Sequence, residues 1–466
     1  MLQTPDVAPV MALPPVPEWL TRWSDFAAEV RLADLDRGAV HRTRQVLYDS
    51  IAAIAAGAQE REVRDLADRL AALGGTGGIA TPAIGLHRRL PVAAAALVNG
   101  TAGTMLELDE GNQFARGHPG MHVVPAALAT AGRLGASGGD LLVAIALGYE
   151  IGARVGIASK LRVTMHPHGT WGTVGAAVAV AKLHGADADH MREVINVAST
   201  LGLGTSRRTM LEGGTVRNSF AGWSNHMGLI AWEMVEAGFT GEVDGIATVY
   251  GTVIADNFRP DEMTAELGTR WEVARNYFKR HACCRYNHGA LDALARIAAE
   301  AGGRLDPAAI ARVDVATYVW AAQLAGQEPH NMLAAKFSLP FSIATTIVYG
   351  AATVEAFRDG ALADATIRDL ARRVFVTEDK ALTARLPGLR PARVTVTLTD
   401  GRVFAAESLT NRGDTEDPYS EHEIRAKFFE LTEPVWGRAH AERIIRACET
   451  LDGAPTVGPL MELLAA

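Results

Sequence analysis

The stretch DLLVAIALGYEIGARVG, residues 140–156, decides the fold class of this chain. Its apolar residues recur at the spacing of an α-helix, and its alanines and glycines allow neighbouring helices to approach closely. The segment GTVGAAVAVAKLHG, residues 172–185, has the same composition and period. Aromatic residues make up only 6% of the chain, which disfavours an aromatic-rich sheet sandwich. These features predict a mainly α-helical protein.

Length and composition define the general class of protein. With 466 residues the chain is long for a single core, so two domains are expected. Hydrophobic residues at 48% and charged residues at 21% are typical of soluble globular proteins. The net charge of −8 carries no basic block, which argues against nucleic-acid binding. No run of about 18 uninterrupted apolar residues predicts a membrane span.

The cysteines and the N-terminal segment bear on the compartment. Of three cysteines, Cys283 and Cys284 are adjacent, which suits neither a disulfide framework nor a spaced metal site. The N-terminal segment MLQTPDVAPVMALPPVPEWL lacks the basic region and compact apolar run of a signal peptide. We therefore expect a cytoplasmic protein.

The pattern along the chain changes near Phe278. The alternation in ARVDVATYV predicts a strand, and RVTVTLTDGRVFAAESLT predicts a hairpin that turns at Asp400-Gly401. The tail returns to helix at DPYSEHEIRAKFFELT, where Ser420 precedes acidic residues in the first turn. We expect a large all-helical domain formed by residues 18–277 and 413–466, and a smaller α/β lid domain of residues 278–412.

A first group of chemical side chains lies in LELDEGNQFARGHPGMHVVP, residues 106–125. Carboxylates a few residues from histidines could coordinate a metal or form an acid/base network. Alternatively, the acids are solvated and His122 caps or packs locally. The group consists of Glu107, Asp109, Glu110, Asn112, His118 and His122.

A second group is MHPHGTWGTVGAAVAVAKLHG, in which His166 and His168 precede a helix start. Unpaired N–H groups at that helix start, together with positively charged imidazoles, would suit a carboxylate ligand. A metal site is less favoured because no HExxH helix or Cys/His pair supports it. A core packing role stays open, more for His168 than for His166.

Two basic segments complete the candidates. Arg217 follows a Gly-Gly pair and could hold a carboxylate with paired hydrogen bonds, or be a simple surface residue. NYFKRHACCRYNHGALDAL places Lys279, Arg285 and His288 beside the adjacent cysteines, at the expected domain junction where ligand clefts commonly form. A thiol nucleophile is disfavoured because no acyl-transfer signature accompanies the cysteines.

Six motifs in this order resemble the MmgE/PrpD family, which includes 2-methylcitrate dehydratases. Its members carry an "LDFDD"-type acidic motif, an "HP" loop, an "HPTGTxG" helix start and a "KxYPCCxxxH" segment, then "KFSLPY" and "DPLSxxEIxxKF". The corresponding segments here are LELDEG, GHPG, HPHGTWG, FKRHACCRYNH, KFSLPF and DPYSEHEIRAKF. The resemblance covers roughly residues 20–430.

The resemblance implies a helical domain with an α/β lid, a homodimer, and catalysis on small polycarboxylates without a metal or redox cofactor. Activities in the family are dehydration of 2-methylcitrate, decarboxylation of cis-aconitate and epimerisation of iminodisuccinate. The family's pocket positions correspond to Glu107, His118, His166, Arg217, Lys279, Cys284 and Phe341.

Three positions depart from the family pattern. Arg217 replaces a lysine that relatives use for proton transfer, and arginine is a poor base but a good carboxylate ligand. Phe341 replaces a tyrosine and so lacks a hydroxyl group. Cys284 replaces the histidine of cis-aconitate decarboxylases. The departures disfavour itaconate formation and remove the usual epimerase lysine.

Together these residues predict a proton-transfer enzyme, most simply a lyase that dehydrates a hydroxylated di- or tricarboxylate. We expect His166 to act as base or acid, His118 to relay protons, and Arg217 and Lys279 to bind carboxylates or stabilise charge. We expect His166 and Lys279 to face each other across a cleft between the domains. An epimerase of a substituted succinate and a catalytically silent carboxylate-binding protein are the alternatives. The remaining candidate binding residues are Glu107, Asp109, Asn112, His168, Cys284, Arg285, His288 and Phe341.

Overall fold

The computed structural model describes residues 13–73 and 80–466, and the chain is mainly α-helical over these ranges. The first 12 residues, on which the signal-peptide prediction depends, lie outside the described residues. The N-terminal part forms helices α1 Glu18–Glu29, α2 Arg37–Gly57, α3 Arg61–Leu73, α4 Val92–Met105, α5 Pro119–Leu134, α6 Gly138–Ala158, α7 Gly172–Leu183, α8 Ala188–Thr200, α9 Arg208–Leu211, α10 Phe220–Glu236, α11 Gly245–Thr248 and α12 Asp261–Thr264.

Helix α7 is the centre of the helical packing, with α5, α6, α8 and α10 arranged around it. Small residues make this possible. A Cβ atom added to Gly148 of α6 would lie 2.5 Å from the carbonyl oxygen of Gly175 in α7. The two helices which the composition predicts to pack closely therefore do so through backbone contact. Helix α6 is apolar and long enough to span a membrane, but 94% of its apolar window is buried inside the fold, as in a core helix.

The helix boundaries follow local chemistry. The side chains of Asp36, Ser137 and Asp187 each accept a hydrogen bond from a backbone N–H in the first turn of α2, α6 and α8. Helix α5 starts with Pro119, which lacks the N–H that would go unpaired there. His118 is therefore held at the N-terminal end of a buried helix.

Short strand pairs interrupt the N-terminal helices, although this part was expected to be all-helical. They are β1 Ala80–Ala83 with β2 Arg88–Pro91, β3 Gly111–Asn112 with β6 Asn276–Tyr277, and β4 Ser159–Leu161 with β5 Ala255–Phe258. Each is antiparallel and at most four residues long. Such pairs have no periodicity for a sequence pattern to reveal, because tertiary contacts form them.

The C-terminal part combines helices with a four-stranded sheet. Its elements are α13 Arg285–Glu300, β7 Ile310–Thr317, α14 Val319–Ala322, α15 Met332–Lys336, α16 Leu339–Tyr349, α17 Asp359–Ala363, α18 Ala365–Arg372, β8 Val374–Glu378, α19 Lys380–Thr383, β9 Ala392–Leu398 and β10 Val403–Ser408. The strand order in the sheet is β10-β9-β7-β8, with β7 and β8 parallel and the other pairs antiparallel. The predicted hairpin is confirmed: Gly401, with φ +89°, lies in the turn between β9 and β10.

The tail forms α20 Glu421–Trp436, α21 Arg438–Glu449 and α22 Gly458–Ala465. Ser420 and Glu423 form the capping box at the start of α20. This helix packs on α2, where buried Lys427 lies 2.6 Å from Asp49 and donates to the Leu108 carbonyl at 2.6 Å. The tail thus contacts both the first helices and the acidic motif. The predicted division at residues 277/278 and 412/413 stays a prediction.

Removing the Lys427 ammonium tests how much the tail contributes to stability. Lys427→Met leaves the buried Asp49 carboxylate without its charged partner, so we expect a loss of about 3–5 kcal/mol in unfolding free energy. Replacing both residues, as in Asp49→Leu with Lys427→Met, should restore most of the stability. Denaturant unfolding measures both variants, and the exposed Arg61→Met variant is the control. A single variant as stable as the control would contradict this prediction.

Candidate active site

A cavity of about 440 Å³ of empty space, including open solvent, lies where loops from both parts of the chain converge. Its walls combine residues before Phe278 with residues of the 278–412 segment. Cations and imidazoles dominate the lining, and Glu107 is the one carboxylate among the described residues that line it. The lining residues are Glu107, Arg116, His118, His166, Pro167, His168, Arg207, Met210, Arg217, Tyr277, Cys284, Arg285, Tyr286, Phe337 and Arg390.

Pairing of β3 with β6 brings the acidic and basic motifs together. Gly111 pairs with Tyr277 and Asn112 with Asn276, so the segment after Glu107 runs beside the segment that leads to Lys279. The Asn112 side-chain oxygen accepts hydrogen bonds at 2.9 Å from two following backbone N–H groups. Asn112 therefore shapes the loop and does not line the cavity.

A buried ion network extends from the cavity wall into the protein. Glu107, at φ +55°, forms an ion pair with Arg217, and its second oxygen lies 3.5 Å from the Lys279 ammonium. Lys279 also lies 3.2 Å from Asp109. Burial opposes the charge on Lys279, yet Asp109 and Glu107 raise the pKa of Lys279 above its ordinary value. Lys279 is thus an ammonium ion held between carboxylates, and it is not among the residues that line the cavity.

His118 is hydrogen-bonded to a backbone carbonyl, and the Asp109 carboxylate lies beside the same ring nitrogen. Its Nδ1 lies 2.6 Å from the Glu110 carbonyl oxygen and 3.0 Å from Asp109 Oδ2. Burial opposes ionisation of Asp109, but the charges of His118 and Lys279 hold its pKa well below its ordinary range. Because a carbonyl only accepts, Nδ1 carries the proton, and in the neutral ring Nε2 is the free acceptor. His118 lines the cavity and is 7% exposed.

His166 has the opposite tautomer. Its Nδ1 accepts the backbone N–H of His168 at 3.0 Å, so the neutral ring carries its proton on Nε2. Arg217 Nε lies 3.5 Å from that Nε2, too far for a strong hydrogen bond. Burial, and then the charge of Arg217, lower the pKa of His166 well below its ordinary value. The ring is therefore neutral at physiological pH and presents an N–H group.

His168 and His122 complete a cluster of four imidazoles. The His168 ring centroid lies 4.7 Å from those of His118 and His166 and 5.0 Å from that of His122. Burial lowers the pKa of His168 well below its ordinary value and that of His122 to about 4. The expectation that His166 and His168 add positive charge is wrong, because burial and the charge of Arg217 keep both rings neutral.

Glycine is required in the turn between these histidines and α7. Gly169 has φ +86°, a conformation that L side chains rarely adopt. Its N–H donates to Nε2 of His122 at 3.2 Å, and the Thr205 hydroxyl holds the His166 and His168 carbonyls at 3.0 Å each. Thr205 therefore fixes the backbone of His166 and His168, and Gly169 joins the turn to His122.

The remaining predicted residues have different surroundings. Arg285 lines the cavity but pairs with Asp414 at 2.5 Å and with Nδ1 of buried His288 at 2.9 Å. Cys284 also lines it, and burial raises the pKa of its thiol to about 11, so it stays protonated. Phe341 lies outside the lining, with its ring centroid 6.2 Å from that of Phe357. His288 and Phe341 are thus placed behind the wall.

Three arginines that sequence reasoning missed also line the cavity: Arg116, Arg207 and Arg390. Arg116 stands within the acidic motif itself, two residues before His118. Arg207 and Arg390 lie outside every motif, and no local pattern distinguishes them from surface arginines. Only the tertiary fold reveals that they share the cavity. Within residues 13–73 and 80–466, no group of three or more His, Cys, Asp and Glu side chains is arranged to hold a metal ion.

A buried histidine–carboxylate pair facing a cavity lined with arginines is typical of an enzyme site for small anions. Sequence comparison agrees. The MmgE/PrpD N-terminal domain matches residues 21–258 and the MmgE/PrpD C-terminal domain matches residues 281–452. The chain belongs to the MmgE/PrpD family.

Two curated relatives align over nearly their full length. The "cis-aconitate decarboxylase-like protein oryM" of Aspergillus oryzae is 25% identical over 472 residues, covering 95% of this chain and 96% of the relative. The "cis-aconitate decarboxylase" of Aspergillus terreus is 23% identical over 466 residues, covering 94% of each.

Glu110 provides a pH test of the buried site. Burial raises its pKa from an ordinary 4.5 to about 8, although the Tyr149 hydroxyl, 2.9 Å away, lowers it. Between pH 4.5 and 8 the folded chain therefore holds a proton that the unfolded chain releases, so stability falls as pH rises. Relative to Glu110→Gln, the unmodified protein should lose unfolding free energy progressively over this window and then level off. Denaturant unfolding across the pH range measures the difference. A difference that is constant with pH would contradict the assignment.

Proposed function

We propose that this protein is a lyase which removes a proton from the carbon beside a carboxylate of a small polycarboxylate and expels water. The observation that carries the proposal is the His118–Asp109 pair. Because Nδ1 of His118 carries the ring proton, Nε2 has a free lone pair and is the basic nitrogen. A C–H proton beside a carboxylate is very weakly acidic, so its removal requires a positioned base and nearby stabilising charge.

In the proposed cycle His118 alone accepts the proton and later returns it. Nε2 of His118 takes the proton from carbon, and the ionised Asp109 stabilises the resulting imidazolium. The imidazolium then gives this proton to the departing hydroxyl group. Water leaves, a carbon–carbon double bond remains, and His118 returns to its neutral form. The cycle uses side chains and substrate only, so activity is expected to survive exhaustive chelation.

In this proposal His166 donates a hydrogen bond and does not act as a base. Its Nδ1 is occupied by the His168 N–H, and its Nε2 already carries a proton. A neutral N–H group beside Arg217 is suited to the negative charge that develops on the substrate carboxylate. This role differs from the one predicted from the sequence, in which His166 acts as base or acid.

The alternatives differ in what they require of the residues present. Epimerisation needs a second acid or base on the opposite face of the carbon, but Arg217 is a poor base and Lys279 is held between two carboxylates. Decarboxylation, the activity in the relatives' names, is disfavoured by Cys284 in place of histidine, since its buried thiol stays protonated. A silent binding protein would not need an unpaired Nε2 on His118.

A screen of hydroxylated di- and tricarboxylates in deuterated buffer tests the proposal. Water loss with deuterium exchange at one carbon supports the lyase. Stereochemical inversion without elimination would indicate an epimerase, and carbon dioxide release would indicate a decarboxylase. Binding without any exchange would identify a silent binder and overturn the proposal.

The His118→Gln variant should reduce turnover by about 10²–10⁴-fold, the usual cost of losing a general acid/base. Asp109→Asn should also lose rate, because an amide cannot stabilise the imidazolium. Steady-state kinetics on the substrate found in the screen provides the measurement. The exposed His190→Gln is the matched control and should retain full activity. Near-normal turnover in His118→Gln would show that another residue acts as the base.

Two substitutions of His166 separate hydrogen bonding from proton transfer. Glutamine keeps an N–H donor, so His166→Gln should retain about five- to tenfold more turnover than His166→Ala, given about 1–1.5 kcal/mol for one hydrogen bond. If His166 transfers a proton, both variants should be equally inactive. Arg217→Ala should chiefly weaken substrate binding, since guanidinium does not exchange its proton near neutral pH. Kinetics together with calorimetric binding distinguishes these outcomes.

We also propose that the protein is a cytoplasmic homodimer. The dimer rests on the family resemblance, and the compartment rests on the cysteine content. Light scattering of the purified full chain measures its mass in solution. A mass near 49.5 kDa, that of one chain, would overturn the dimer.

A further inference from the structure

The arginines of the cavity divide into two kinds. Arg217 pairs with Glu107, and Arg285 pairs with Asp414 at 2.5 Å, so both are neutralised within the protein. Arg116, Arg207 and Arg390 have no carboxylate within 4.0 Å among the described residues. They therefore bring to one cavity three positive charges that are not paired with a carboxylate of the described residues.

Backbone carbonyls hold these three arginines in place. Arg116 donates to the Gly156 and Ser159 carbonyls at 2.7 and 2.5 Å. Arg207 Nε donates to the Met165 carbonyl at 3.1 Å, and an Arg390 Nη donates to that of Gln113 at 2.6 Å. Neutral carbonyls fix the position of a guanidinium group but do not cancel its charge. Each arginine is thus rigid and still charged.

Arg116 carries its charge at an electrostatic cost. Burial lowers the pKa of Arg116, Tyr286 opposes this effect, and the charges of Arg207 and Arg390 lower the pKa further. Nη1 of Arg207 and Nε of Arg390 are buried without a hydrogen-bond partner among the residues described. Buried donors without partners are costly, and carboxylate oxygens satisfy both the donors and the charge.

We propose that Arg116, Arg207 and Arg390 are specificity-determining residues that select a tricarboxylate over a dicarboxylate. The proposal rests on the proposed function, in which one substrate carboxylate lies beside the reacting carbon, near His118, His166 and Arg217. The three further cations come from three separate segments of the chain and line the same cavity. They are suited to carboxylates that take no part in the proton transfer.

Binding of two inert probes tests the proposal without any turnover. Propane-1,2,3-tricarboxylate and pentanedioate share a five-carbon backbone and differ by the central carboxylate. The full-length protein should bind the tricarboxylate at least about tenfold more tightly by calorimetry, as expected for a charged hydrogen bond to an added carboxylate. Equal affinity for the two probes would overturn the proposal.

Substitutions identify which cations are responsible. Arg116→Gln, Arg207→Gln and Arg390→Gln should each reduce the preference for the tricarboxylate to below about threefold. Arg259→Gln is the control: Arg259 is exposed, pairs with Glu262 at 2.8 Å and lies outside the cavity lining, so the preference should be unchanged. A loss of the preference in Arg259→Gln too would indicate a general surface field and overturn the assignment.

A purely structural role has a different signature, because it weakens both probes equally and leaves their ratio unchanged. If the buried Arg390 variant does not fold, the half-buried Arg207 variant carries the test. The specificity proposal and the lyase proposal can fail separately. If the protein prefers the tricarboxylate probe but converts no substrate, only the lyase proposal is overturned. If the protein is an active lyase but binds both probes equally, only the specificity proposal is overturned.

Discussion

The Lys279 ammonium group lies fully buried between the carboxylates of Glu107 and Asp109, and the geometry of the cavity follows from this contact. The charges of His118 and of this lysine hold the pKa of Asp109 well below its ordinary range despite its burial. Lys279 also links Asp109 to Glu107, which pairs with Arg217, while Asp109 lies beside His118. A neutral residue at position 279 would remove a cation that lowers the pKa of Asp109 and would break the link between the two carboxylates.

The helical packing explains why this network can be built at all. Helices α4 to α7 and α10 pack through small residues, so their ends come close together and the loops between them meet at one place. Those loops carry Glu107, His118, His166 and Arg217. Functional groups on loops over a rigid core are a common arrangement, because the core fixes position while the loops supply polar atoms. In this protein the loops are also buried, and their backbone groups find partners in histidines and in Thr205.

The sequence was sufficient to predict the helical class, the C-terminal hairpin, the tail helix and most of the acidic, histidine and basic motifs. These elements have local signals: helical periodicity, an Asp-Gly turn, a capping box and clustered polar residues. It was not sufficient for the β3–β6 pairing, for Arg207 and Arg390, or for the neutral state of the imidazoles. Those depend on burial and on partners distant in sequence, such as Gly111 beside Tyr277.

The structure also gives the three departures from the family pattern unequal weight. The KFSLPF motif is largely structural: the Lys336 ammonium donates to the Met105 carbonyl at 2.8 Å, and its backbone carbonyl accepts the Cys284 N–H at 3.0 Å. This lysine therefore joins the end of α4 to the start of α13. Phe341, five residues later, packs near Phe357 outside the cavity lining, so a missing hydroxyl there removes no group from the wall in this structure. Arg217 and Cys284 do line the wall, and a change of chemistry relative to the decarboxylases is therefore to be sought at these two positions.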